Sequence, residues 1–176
     1  GFQKTGSSHF RLSAPRELPY TVRNQVLRIL ENAYRRIGRE LGGVYPPGPI
    51  QVILYEAGQF EEATLLDEHV GAVYDGKIRS PITTENNQLL PEKELERRLT
   101  HEYVHVVVRY IAGENVPWWL NEGLAESLST QMTDPQFGAL AQAYRQNRDF
   151  RLASLETSQL KQLGVERLRL AYLQSR

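Results

Sequence analysis

The sequence predicts an α+β fold: a small mixed β-sheet with a long N-terminal helix, then a helix pair and C-terminal helices. Three observations carry that expectation. Short runs rich in β-branched residues fall in the first half of the chain. One long segment among them repeats its apolar residues at helical spacing. The second half is a series of helix-length segments, several opened by proline, with little strand signal.

The elements follow in order. "HFRLSAP" reads as a short strand with Phe10 and Leu12 on one face. A helix is predicted from about Tyr20 to Leu41, because Val22, Val26, Ile29, Leu30, Ala33, Ile37 and Leu41 share one side; Gly42-Gly43 stops it. "VYPPGP" is a loop, and Ile50 to Glu56 is a strand. "GQFEEATLL" fits one or two helical turns. "GAVYDGKIRSPIT" alternates around Asp75-Gly76, a hairpin signal that adds strands at Gly71–Tyr74 and Lys77–Ile82. Pro91 opens a helix that runs to about Ile111 and ends at Gly113. Pro117 opens the next, which carries "WWLNEGLAESLSTQM", and Asp134-Pro135 starts a third. "FRLASLETS" is a connector, and "VERLRLAYLQSR" is a last helix. The chain is expected to be one domain, 1–176, with a sheet-containing lobe at 9–90 and a helical lobe at 91–176.

Composition narrows the function. The chain has 176 residues, 40% apolar and 24% charged, which suits a single domain with a real core. Its formal net charge is zero, so electrostatics give no reason to expect nucleic acid or an anionic membrane as partner. It has no cysteine, which removes disulfides, thiolate ligands and a cysteine nucleophile and leaves the compartment open. No apolar run approaches the roughly 20 residues of a membrane span. The chain opens without Met, and its last helix stops without a cap. Both ends therefore read as those of a piece of a longer polypeptide, with Gly1 as a cloning remnant.

The chemistry concentrates in "RRLTHEYVHVVVRYIAG". At positions i and i+4, His101 and His105 project from one helix face and can share a metal ion. Glu102 lies about 100° around the helix, where it misses the metal but can reach a water bound to it. Such a water has its pKa lowered to about 7, and a carboxylate can take its proton. The pattern alone leaves two readings open: a zinc-hydrolase helix, or an ordinary helix with two histidines. A third protein ligand has to decide. Val108 and Ile111 stand where a metzincin needs glycine and histidine, so that class is excluded. Glu122, in "PWWLNEGLAESL" on the next helix, can complete a His₂Glu site if "YIAGENVP" reverses the chain. Trp118, Trp119 and Leu120 mark that helix start as buried or cleft-lining. Gly123 would let the two helices approach closely. Glu126, one turn on, is placed to accept the second ring N–H of a ligand histidine. Glu114 is a weaker competitor for third ligand. His9 and His69 read as surface or structural.

"HEYVH" followed by "WLNEGLAE" resembles the gluzincin metallopeptidases, the thermolysin-like clan, and more narrowly the peptidase MA-like domains of bacterial proteins. The likeness takes in the N-terminal strand and long helix, "PIQVILYE", the "GAVYDGKIRSPI" hairpin and the terminal "LRLAYLQS", and so spans nearly the whole chain. It implies a zinc-dependent peptidase with one Zn²⁺ per chain, held by His101, His105 and Glu122. Glu102 is then general base and acid, and Glu126 and Asn121 stand around the ligands. An edge strand within "GAVYDGKIRSPI", at Gly71, Ala72, Val73 and Tyr74, would pair with an extended peptide or protein substrate. Tyr172 is the best-placed residue to donate to the oxyanion, with packing in a helix interface as its plainer role. Related aminopeptidases carry G-A-M-E-N on the edge strand, whose glutamate anchors the substrate amine. Here Tyr74 takes that place, which leans the expectation toward an endopeptidase. The alternative is a peptidase-fold domain that binds a peptide or protein partner with little or no turnover.

Overall fold

The computed structural model describes residues 1–60, 76–151 and 165–175. Four strands form one mixed sheet in the order β1 (Phe2–Gly6), β2 (Phe10–Pro15), β3 (Ile50–Tyr55), β4 (Ile78–Pro81). β1 and β2 run antiparallel, with Thr5 opposite Leu12. β2 and β3 are parallel, with Leu12 opposite Val52, and β3 and β4 are parallel, with Val52 opposite Ile78. The period of two is plain in the burial. Phe10, Leu12 and Ala14 point inward, as do Ile50, Val52 and Leu54, while their alternates are more exposed.

The opening residues, given no element from the sequence, form β1. Four of its five residues are exposed, so no apolar face announced it. Pairing with β2 through a turn at Ser7, whose N–H donates to Phe10 O at 3.0 Å, supplies the stability that its side chains do not. The predicted strand Lys77–Ile82 is β4. Its expected hairpin arm, Gly71–Tyr74, lies outside the described residues, as do most of "GQFEEATLL" and "FRLASLETS"; residues 57–60 do begin a helical turn.

Parallel strands need a crossover, and α1 (Tyr20–Glu40) supplies it between β2 and β3. Its buried face is Val26, Ile29, Leu30, Ala33 and Ile37, with Val22 and Leu41 at the margin of the same core. Past its end Gly42 and Gly43 take positive φ, and the Gly43 N–H donates to Gly38 O at 2.7 Å. The Tyr45 ring lies close over Gly38, and a Cβ there would force the ring to shift. Glu31 on α1 ties down the β1–β2 turn. Its carboxylate accepts from Ser7 Oγ at 2.6 Å and from the His9 backbone N–H at 2.9 Å, and lies 2.8 Å from His9 Nδ1. The His9 ring stacks on Tyr34 at 3.9 Å, so His9 is structural.

The C-terminal half is helical: α2 (Glu92–Ala112), α3 (Trp118–Ser129), α4 (Asp134–Arg145) and α5 (Val165–Ser175). α2 buries Leu95, Leu99, Tyr103, Val104 and Val107 in the same core as the sheet and α1, and Ala125 of α3 joins it. Gly113, at φ 68°, ends α2 where a side chain would be strained. A capping box starts α4, with Thr133 N–H donating to Gln136 Oε1 at 2.8 Å. Ala143 is the buried residue of α4. α5 packs on α3 through a smaller cluster in which Phe150 and Ala171 meet Trp118, Trp119 and Leu170. The Gln174 side-chain amide accepts from the Phe150 N–H at 2.7 Å and donates back to its carbonyl, which ties Phe150 to α5. Among the described residues, no helix is long and apolar enough to cross a membrane.

Candidate metal centre

Three side chains from two helices converge. His101 and His105, one turn apart on α2, bring their Nε2 atoms to 3.1 Å, with the rings edge to face at 4.8 Å between centroids. The loop after Gly113 brings α3 back onto α2, as the chain reversal required. Glu122 Oε2 then lies 3.4 Å from His101 Nε2, and Oε1 lies 3.5 Å from His105 Nε2. One ligand atom from each residue falls within 4.8 Å of the others, so His101, His105 and Glu122 form a group that can hold a metal ion. The spacing is informative. Bonds of about 2.0–2.1 Å in a tetrahedral site put neighbouring ligand atoms about 3.3–3.4 Å apart. The two histidine nitrogens, and each of them with its nearer Glu122 oxygen, lie close to that value, and with one atom per residue the group stays within 4.8 Å.

The chain matches no protein-family model, no curated protein and no solved structure.

The outer nitrogens of both rings have partners. His105 Nδ1 lies 2.9 Å from Asn121 Oδ1. An amide oxygen can only accept, so Nδ1 donates, and the ring is held with Nε2 toward Glu122. Glu126 Oε1 is 3.2 Å from His101 Nδ1. The ring N–H is out of line with it, so the contact is a close charge pairing rather than a formed hydrogen bond. Each of the two residues thus stands beside one histidine.

Burial opposes a charge on His101, but Glu122 and Glu126, helped by Glu102, outweigh it and raise the imidazole to about 9. A proton there answers the same surplus of carboxylate charge that a bound cation would. Glu102 sits above the usual carboxylate range, because burial disfavours its charge more than His105 and His101 favour it. A carboxylate shifted that way is better matched to proton transfer near neutral pH. Tyr172 on α5 packs edge-on against Trp118, with ring centroids 5.0 Å apart. Burial, then the charges of Glu122, Glu126 and Glu102, push its phenol up to about 12. It therefore stays protonated as a hydrogen-bond donor and lies within electrostatic reach of the site.

At the start of α3, expected to be buried or cleft-lining, Trp118 and Trp119 are half-buried and Leu120 is 38% exposed. The two tryptophans pack toward α5, a helix too distant in sequence for local pattern to foresee. Glu114 is engaged elsewhere, accepting from Arg109 Nη2 at 2.6 Å. The proposed edge strand, Gly71, Ala72, Val73 and Tyr74, lies outside the described residues, as does His69. Sequence reasoning missed Glu94 and Arg97. Arg97 Nε and Nη2 donate to the two oxygens of Glu94 at 3.0 and 2.9 Å, and Arg97 Nη1 lies 4.0 Å from Glu126 Oε1. The i, i+3 spacing of Glu94 and Arg97 was the available signal.

Proposed function

We propose that this chain is a zinc-dependent metallopeptidase. The observation that carries the reading is the convergence of His101 Nε2, His105 Nε2 and the Glu122 carboxylate at separations of 3.1, 3.4 and 3.5 Å. Two imidazoles and a carboxylate, with no thiolate, are a donor set that zinc accepts in hydrolases, leaving one position for solvent or substrate. Zinc bound there would acidify a water and polarise the scissile carbonyl.

The chain's own residues supply the rest. Glu102, beside the ligands and above the usual carboxylate range, takes the proton of the attacking water and returns it to the leaving amine. Asn121 and Glu126 hold the histidines with Nε2 turned inward. Tyr172, a protonated phenol near the three carboxylates, donates to the developing oxyanion. With Tyr74 in place of an amine-anchoring glutamate, the reading favours internal peptide bonds over the N-terminal one.

A defined peptide library incubated with the zinc-loaded protein tests the proposal. Reproducible internal cleavage, lost with a chelator and restored by zinc, is the expected result. Saturable peptide binding without products would replace it with the binding-domain reading.

A further inference from the structure

We infer that Arg97 is a positioning residue of the metal centre: clamped by Glu94, its guanidinium holds the Glu126 carboxylate against His101 Nδ1. The inference rests on the reading of His101, His105 and Glu122 as a zinc site, and it concerns residues outside that ligand set.

Two guanidinium nitrogens are hydrogen-bonded to Glu94, and the third makes a longer ion pair with Glu126. Nε donates to Glu94 Oε2 at 3.0 Å and Nη2 to Glu94 Oε1 at 2.9 Å, a side-on pair. A planar guanidinium held at two nitrogens has its third direction fixed. That third nitrogen, Nη1, faces Glu126 Oε1 at 4.0 Å. The same oxygen lies 3.2 Å from His101 Nδ1. Glu94 is braced in turn by Arg98, whose Nε donates to it at 2.6 Å. The chain of contacts therefore runs from Arg98 and Glu94 through Arg97 and Glu126 to a ligand histidine.

This arrangement answers a physical need. The Glu126 side chain is 20% exposed, and a turn toward solvent would take its oxygen away from the His101 ring. A guanidinium fixed on the outer side holds the carboxylate toward His101 by charge attraction. Lysine would bring the charge without the fixed plane, so it should serve only in part. The plainer role for Arg97 is an i, i+3 ion pair with Glu94 on a helix surface. That role would affect the stability of α2 and leave zinc affinity alone.

Zinc affinity, measured by competition with a chromophoric chelator at one neutral pH, separates the two roles. The proteins compared are wild type, Arg97→Gln, Arg97→Lys, Glu126→Gln and the Arg97→Gln/Glu126→Gln double variant. A residue bonded to a ligand typically contributes about 10- to 100-fold in affinity, so Arg97→Gln, one contact further out, should lose about 3- to 10-fold. Arg97→Lys should fall between it and wild type. The double variant should bind zinc no more weakly than Glu126→Gln, because Arg97 acts through Glu126. Wild-type affinity in Arg97→Gln, or an equal added loss in the Glu126→Gln background, would overturn the inference. Wild-type protein that takes up no zinc would overturn the metallopeptidase reading together with it.

Discussion

His105 Nδ1 and Asn121 Oδ1 stand 2.9 Å apart across the α2–α3 interface, and this one hydrogen bond ties His105 to the helix that carries Glu122. Asn121 immediately precedes Glu122, so α3 delivers the carboxylate and the support of His105 from adjacent positions. Asn121→Leu is expected to weaken zinc binding about 10- to 100-fold. Direct titration against a competing chelator checks this. Unchanged affinity would mean that the ring is oriented by packing alone.

Zinc uptake should release a proton. His101 stands at about 9 in the metal-free site, so it is protonated at neutral pH and must lose that proton to become a ligand. Apparent zinc affinity should therefore rise with pH and level off once His101 has titrated. The metal-free protein should behave in the opposite sense. A raised histidine contributes stability that is fully present below its ordinary 6.5 and is lost as pH rises through about 9. Calorimetry in buffers of different ionisation enthalpy counts the protons. No net release at neutral pH would contradict the charged state assigned to His101.

Acid should act through Glu94. The hydrogen bond from Arg97, with Arg98 beside it, overcomes burial and holds this carboxyl down at about 2. A depressed carboxyl contributes stability above its ordinary 4.5, which is lost as pH falls toward about 2. Unfolding followed across that window should show a smaller acid loss in Glu94→Gln than in wild type. Parallel curves would show that the Glu94–Arg97 pair is energetically idle in water.

The N-terminal hairpin depends on Glu31. Its carboxylate is 14% exposed and accepts from Ser7 and His9. Glu31→Ala should destabilise the fold by about 1.5–3 kcal/mol, the range for hydrogen bonds to a charged group. Denaturant unfolding measures it. A change within error would place the hold on β1 in its strand pairing with β2 alone.

The parts of this fold that were legible in the sequence are those whose signal is local and apolar. α1 announces itself through Val26, Ile29, Leu30 and Ile37, and β3 through Ile50, Val52 and Leu54, because burial imposes a period on the chain. His101 and His105 are legible for the same reason, since one helical turn fixes their juxtaposition. Glu122 needed one further step, the reversal after Gly113, and α3 does return onto α2. β1 left no trace because its stability comes from backbone pairing, and "FQKTG" has no buried face to betray it. Arg97 left only its i, i+3 spacing from Glu94 as a signal. On paper it is one more charge in "EKELERR", and only the approach of α3 turns it toward Glu126.

Metal content and peptide hydrolysis, measured side by side on wild type and Glu102→Gln, decide whether the chain is a zinc peptidase. About one zinc per chain is expected in both proteins, with hydrolysis confined to wild type, because Glu102 moves protons and does not hold the metal. Absence of zinc from both at saturating metal, or cleavage by Glu102→Gln at the wild-type rate, would contradict that reading.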